Sequence, residues 1–139
     1  MPMKSATENK DIEPKTILIL EDEMIIAKSI KSYIEKIGYK VAGIAQNGQD
    51  AISIAKEKKP SLAILDIVID GDMDGIETAK EFIKLNIPFL YLTAYGDTKT
   101  RQRAKETYPL GYIIKPFNDK VISNTIKEAF EKINRNYSK

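Results

Sequence analysis

Short apolar runs alternate along the chain with longer segments in which apolar residues recur every three or four positions. The runs are rich in β-branched residues and too short for stable helices, so they predict β-strands. The recurring pattern is typical of amphipathic helices that pack one face on a core. The predicted strands cover residues 16–20, 41–45, 62–69, 88–92 and 112–114.

Each predicted strand is followed by a predicted helix. The last helix is the longest and has Asn118 or Asp119 as its N-cap. The helix from Asp97 to Glu106 has almost no apolar residue besides Ala104, which predicts weak anchoring on the core. The apolar positions of the other helices are Ile25, Ile26, Ile30, Tyr33, Ile34 and Ile37; Ala51, Ile52 and Ala55; Ile76, Ala79, Phe82 and Ile83; and Val121, Ile122, Ile126, Ala129, Phe130 and Ile133.

Strands that alternate with helices, five of each, predict an α/β fold with a doubly wound five-stranded parallel sheet. In such folds ligands bind at the carboxyl ends of the strands. Polar residues stand at these ends, and they should therefore share one rim of the sheet. They are Glu21 and Asp22 after the first strand, Asp66 in the third, Thr93 after the fourth and Lys115 after the fifth.

The composition narrows the chemistry available to this rim. The 139 residues are 42% hydrophobic and 30% charged, which is typical of one globular domain. A net charge of +2 is too small to indicate binding to nucleic acid or an anionic membrane. The chain has no histidine and no cysteine, which excludes serine-hydrolase triads, histidine-ligated zinc and disulfides and is compatible with the cytoplasm. Residues 1–14 lack the apolar core of a signal peptide and predict a flexible tail.

The rim residues suit phosphoryl transfer, which needs mainly positioning and charge neutralisation. Glu21, Asp22 and Asp66 offer the hard oxygen ligands that Mg²⁺ prefers. A carboxylate such as that of Asp66 can attack phosphorus and form an acyl phosphate. Thr93 can donate a hydrogen bond to a phosphoryl oxygen, and Lys115 can neutralise another. The glycine-rich phosphate loops of dinucleotide-binding and P-loop proteins do not occur in the sequence.

Four short motifs stand in order at the ends of the predicted strands. They are Glu21-Asp22, Asp66, Thr93-Ala94 and Lys115-Pro116-Phe117, with Asp74-Gly75-Ile76-Glu77 opening the third helix. Together they resemble the receiver domain of two-component response regulators, over residues 15–137. The resemblance implies the (βα)5 flavodoxin-like fold.

The resemblance also implies a role for each rim residue. Asp66 is expected to be the phosphoacceptor, with Thr93 and Lys115 contacting the phosphoryl group. The Lys115–Pro116 bond is expected to be cis, which a proline allows. The implied ligands of Mg²⁺ are Glu21 acting through water, Asp22, Asp66 and the backbone carbonyl of Val68.

By the same resemblance, a histidine kinase or histidine phosphotransfer protein supplies the phosphoryl group from a phosphohistidine. Phosphorylation draws Thr93 inward, Tyr112 fills the vacated space as an aromatic switch, and the helix at 97–106 shifts. An output protein or domain is expected to dock on this helix, on the segment between the fourth and fifth strands, and on the last helix. The helix at residues 97–106 carries four basic residues, which are Lys99, Arg101, Arg103 and Lys105.

Such a domain is not an enzyme with a separate substrate, but it assists its own phosphorylation and dephosphorylation. We expect no direct contact with nucleic acid or a membrane, and a phosphorylation-dependent dimer stays open. Residues 134–139 are too few for an effector module, so the sequence is either a stand-alone receiver or a fragment of a longer regulator.

The sequence departs from the family's pattern at three points. Glu21 stands where aspartate is commoner, which gives the carboxylate a longer reach. The loop from Asp66 to Gly75 is one residue longer than usual and lacks a proline. Val68 is apolar at a position that tunes phosphoryl hydrolysis in the family.

Two other functions stay open on the residues alone. A Mg²⁺-dependent phosphatase of the haloacid dehalogenase type also uses aspartate, threonine and lysine, but it needs a second aspartate where this chain has Val68. The segment from Asp70 to Glu81 fits the spacing of a calcium-binding loop and would make the chain a calcium sensor. Against this, a strand rather than a helix is predicted before the loop, and Glu77 occupies a usually apolar position.

Overall fold

The computed structural model describes residues 15–69, 71–94 and 96–138. The tail predicted at residues 1–14 lies outside them. Within the described residues, five strands alternate with five helices, as the apolar pattern predicts. They are β1 (Thr16–Leu20), α1 (Met24–Lys36), β2 (Lys40–Ala45), α2 (Gly48–Lys58), β3 (Leu62–Asp66), α3 (Gly75–Lys84), β4 (Phe89–Thr93), α4 (Thr98–Lys105), β5 (Tyr112–Ile114) and α5 (Asp119–Ser138).

The strands form one sheet in the order β2-β1-β3-β4-β5, and every neighbouring pair is parallel. The predicted doubly wound α/β fold is therefore confirmed. Because all strands point the same way, their carboxyl ends lie along one edge of the sheet, and β1, β3 and β4 are neighbours there.

The two faces of the sheet bury two separate apolar clusters. Along β1, Ile17 and Ile19 join one cluster while Leu18 and Leu20 join the other, as expected for side chains that alternate across a strand. The first cluster contains residues of α1 and α5, and the second contains residues of α2, α3 and α4. Helices cover both faces of the central strands β1, β3 and β4, which explains why their residues are almost all apolar and buried rather than alternating with polar residues.

Not every apolar residue of the predicted helix faces is buried. Ile25 is 84% exposed, so its predicted place on the core face of the first helix is wrong. At 3.6 residues per turn, Ile25 lies on nearly the opposite side of α1 from the buried Ala27. Ile83 and Val121, which lie near the ends of their helices, are also exposed.

The third apolar run continues past the end of its strand. The run covers residues 62–69, but β3 ends at Asp66. Ile67 and Ile69 are buried beyond this end, whereas Val68 between them is 76% exposed. Asp66 is therefore the last residue of the strand and lies at the rim rather than inside the sheet.

Candidate functional site

Asp66 lies at the carboxyl end of the central strand β3 and is only 3% exposed. Its Oδ1 accepts a hydrogen bond of 3.0 Å from the backbone nitrogen of Val68, and its Oδ2 accepts one of 2.8 Å from Lys115 Nζ. These donors supply the compensation that a nearly buried carboxylate requires.

Lys115 reaches this carboxylate from the residue after β5. Its backbone nitrogen donates to Thr93 O at 2.8 Å, which ties it to the end of β4, and the following bond to Pro116 is cis as expected. Burial by itself would lower the pKa of the Lys115 ammonium, but the hydrogen bond and charge of Asp66, aided by the charge of Glu21, raise it instead. Lys115 therefore carries its positive charge at neutral pH.

Glu21 follows β1 and is fully buried. Its Oε2 accepts a hydrogen bond of 2.8 Å from the backbone nitrogen of Glu23. Its Oε1 lies 3.1 Å from Lys115 Nζ as an ion pair, but at an angle that makes no hydrogen bond within the described residues. Burial, followed by the contact with Asp66, raises the pKa of the Glu21 carboxyl to about 7. In the absence of a metal ion, this carboxylate is thus poorly compensated.

The carboxylates of Glu21, Asp22 and Asp66 meet at one point. One oxygen from each lies within 4.8 Å of the others, which is close enough for a single cation to bind them together. Three carboxylates are a hard oxygen donor set of the kind that Mg²⁺ prefers. Among residues 15–69, 71–94 and 96–138, no group donates a hydrogen bond to the buried Glu21 Oε1. The residues present therefore fit a divalent ion.

The remaining predicted residues are Val68 after β3, Thr93 at the end of β4 and Tyr112 in β5. The backbone of Val68 contacts Asp66, while its side chain points to solvent. Thr93 ends β4 and is partly buried. Tyr112 stands opposite Tyr91 on β5, with the two ring centroids 6.0 Å apart, and it is partly exposed.

Gly75 was expected only as part of the motif that opens the third helix, with no role of its own. A side chain at Gly75, the first residue of α3, would place its Cβ 1.9 Å from Asp66 O. Only glycine therefore allows α3 to begin directly against the backbone of Asp66. The available signal is a glycine in the first turn of a helix, where it lowers helix propensity and suggests close packing.

The two alternative functions find no support in the structure. The position that a dehalogenase-type phosphatase fills with an acid holds the apolar side chain of Val68. In the calcium-loop segment, Asp70 lies outside the described residues. Asp74 Oδ1 instead accepts from the backbone nitrogen of Glu77, and Glu81 pairs with Lys84.

In the described part of the chain, every helix is too short or too polar to cross a membrane.

Residues 17–127 match the family model of the response regulator receiver domain. The chain is 34% identical over 106 residues to the transcriptional regulatory protein PdtaR of Mycobacterium tuberculosis, covering 76% of this chain and 51% of that protein. It is 32% identical to the chemotaxis protein CheY of Thermotoga maritima, covering 87% of this chain and 98% of that protein. The chain spans about half the length of several curated relatives that it matches.

Solved structures agree with this assignment. The signal receiver domain of a modulated diguanylate cyclase from Desulfovibrio desulfuricans superposes with a TM-score of 0.81 at 34% identity, covering 86% of this chain and 96% of that chain. A CheY-like receiver domain protein from Methanospirillum hungatei gives a TM-score of 0.81 at 25% identity, covering 89% and 99%. The chain therefore belongs to the response regulator receiver domains of two-component signal transduction.

Proposed function

We propose that Asp66 is the phosphoacceptor of this receiver domain. The observation that carries the proposal is the contact of 2.8 Å between Lys115 Nζ and Asp66 Oδ2, beside the acidic residues Glu21 and Asp22. A nearly buried carboxylate that lies beside an ammonium group and beside two carboxylates able to share a metal ion can act as a nucleophile without a general base.

In the proposed reaction, a carboxylate oxygen of Asp66 attacks the phosphorus of a phosphohistidine. The P–N bond breaks, the new O–P bond forms an acyl phosphate, and the imidazole of the donor leaves and takes up a proton. Because this chain contains no histidine, the phosphohistidine must lie outside this sequence. We propose that the donor is a histidine kinase or a histidine phosphotransfer protein. Since phosphohistidine is made from ATP, we place the domain in the cytoplasm.

We propose that Glu21, Asp22, Asp66 and the backbone carbonyl of Val68 hold a Mg²⁺ ion, with Glu21 acting through water. When bound, the ion neutralises charge on the phosphoryl oxygens. The ammonium of Lys115, which already contacts Asp66 Oδ2, neutralises further charge on the phosphoryl group.

The signal would leave the site through Thr93 and Tyr112. Thr93 donates its hydroxyl to a phosphoryl oxygen on Asp66, and Tyr112 moves into the space that Thr93 leaves. α4 then shifts, and its surface, together with β5 and α5, contacts the output protein or domain. The support is that α4 buries only Ala104 of its own residues.

The test is the intact mass of the protein after incubation with acetyl phosphate and Mg²⁺. We expect a mass increase of one phosphoryl group in the wild type and in Asp119→Asn, a control that changes an exposed aspartate. Asp66→Asn should gain no mass. Equal phosphorylation of Asp66→Asn would refute the assignment, and the absence of any gain in the wild type would refute the proposed function.

A further inference from the structure

The helix α4 is held in place mainly by polar contacts. Ala104 is the only one of its residues that is buried. Just after the helix, Thr107 Oγ1 forms a hydrogen bond of 2.7 Å with Tyr91 OH in β4. The same hydroxyl donates a hydrogen bond to Ala104 O. On the side of the phosphoacceptor loop, Arg103 Nη2 lies 3.1 Å from Asp74 Oδ2.

The position of Asp74 is fixed independently of Arg103. Asp74 caps α3: its Oδ1 accepts a hydrogen bond of 2.8 Å from the backbone nitrogen of Glu77, and Glu77 Oε1 accepts one of 2.9 Å from the backbone nitrogen of Asp74. This reciprocal cap orients the carboxylate so that its second oxygen points at α4. Arg103 therefore binds an acceptor that is already in place.

The start of α3 is in turn packed on the backbone of the phosphoacceptor. The nitrogen of Gly75 donates to Ile67 O at 2.9 Å, and there is no room between Gly75 and Asp66 O even for a Cβ atom. A short chain of contacts thus connects Asp66, Gly75, Asp74 and Arg103. It does not pass through Thr93 or Tyr112.

We propose that the ion pair between Arg103 and Asp74 is a latch that holds α4 in the unphosphorylated position. The inference rests on the proposed function, in which phosphorylation shifts α4. A contact of 3.1 Å is lost when the helix moves, so the pair must oppose the shift and thereby oppose phosphorylation. By linkage, release of the pair must favour the phosphorylated state by the same factor.

The size of the effect follows from the exposure of the pair. The side chains of Arg103 and Asp74 are 40% and 31% exposed, so water and salt screen their attraction. Such a pair shifts an equilibrium by about two- to fivefold. The latch therefore makes the shift of α4 on phosphorylation less favourable but does not prevent it.

The experiment titrates Mg²⁺-loaded protein with beryllofluoride, a stable mimic of the phosphoryl group, and measures the half-saturating concentration by calorimetry. Arg103→Gln removes one partner, and Asp74→Asn removes the other charge while keeping an oxygen that can cap α3. Lys105→Gln is the matched control, because it removes the same charge from the last turn of the same helix. Amide hydrogen exchange across residues 98–107 of unloaded protein gives a second readout that does not depend on phosphoryl chemistry.

We expect Arg103→Gln and Asp74→Asn each to lower the half-saturating concentration about two- to fivefold, and the double variant to go no further than either one. Exchange across residues 98–107 should be faster in Arg103→Gln than in Lys105→Gln. The latch is refuted if Arg103→Gln matches Lys105→Gln in both readouts, or if the two single effects add. Failure of the wild type to bind beryllofluoride would instead overturn the proposed function, and the latch with it.

Discussion

Replacing Glu21 by glutamine should change how the stability of the metal-free protein depends on pH. The buried carboxyl of Glu21 has its pKa raised to about 7 from 4.5, first by burial and then by its contact with Asp66. A raised pKa means that the folded protein holds this proton more tightly than the unfolded chain does. The contribution of Glu21 to stability is thus fully present below pH 4.5 and is lost as the pH rises through about 7.

The size of this loss follows from the two pKa values. One pKa unit corresponds to about 1.4 kcal/mol, so the values of 4.5 and about 7 give a loss on the order of 3 kcal/mol. Glutamine has nearly the same shape and no charge, and its side-chain oxygen can still accept the hydrogen bond from Glu23. The stability of Glu21→Gln relative to that of the wild type should therefore increase by about this amount between pH 4.5 and pH 7.5.

The assay is urea unfolding followed by far-UV circular dichroism, with a chelator present, at several pH values across this range. Glu57→Gln supplies the baseline for removing one exposed carboxylate. A free-energy difference between Glu21→Gln and the wild type that stays constant within about 0.5 kcal/mol would refute the reasoning. Replacing the chelator with saturating Mg²⁺ should stabilise the wild type at pH 7.5 more than the variant.

Two further substitutions probe the surroundings of Asp66. Lys115→Met removes the ammonium that lies 2.8 Å from Asp66 Oδ2, so phosphorylation by acetyl phosphate should slow about a hundredfold. The rate is measured from the intact mass over time, with Lys127→Met as the control. Equal rates in the two variants would contradict the role of Lys115. Gly75→Ala places a Cβ 1.9 Å from Asp66 O and should lower the free energy of unfolding in urea by about 2–3 kcal/mol. Gly96→Ala, whose Cβ would meet its nearest neighbour at 3.7 Å, is the control, and a similar effect in both would contradict the steric reading.

The arrangement of the site follows from the sequence because one rule of topology determines it. Parallel strands place their carboxyl ends together, so Asp66 and Lys115, which are 49 positions apart, meet without any knowledge of loop structure. The central strands are marked by apolar runs, since helices cover both of their faces.

What the sequence leaves open depends on contacts between loops and helices. The ion pair between Arg103 and Asp74 is one example. The sequence around Arg103 suggests only a solvated basic helix, and the sequence around Asp74 suggests only the start of a helix. The exposure of Ile25 depends on where the first turn of α1 begins, and apolar periodicity determines helix ends poorly. The clash that would follow from a side chain at Gly75 depends on how α3 approaches β3, which no local pattern describes.

The central claim is that the Asp66 carboxylate itself carries the phosphoryl group. The most direct test is to phosphorylate the wild type with acetyl phosphate and Mg²⁺, reduce the acyl phosphate with borohydride to an alcohol, and locate the modified residue by tandem mass spectrometry. We predict a homoserine at position 66, formed only when Mg²⁺ is present. Reduction at any other aspartate or glutamate, or no reduced residue in protein that has gained the phosphoryl mass, would contradict the claim.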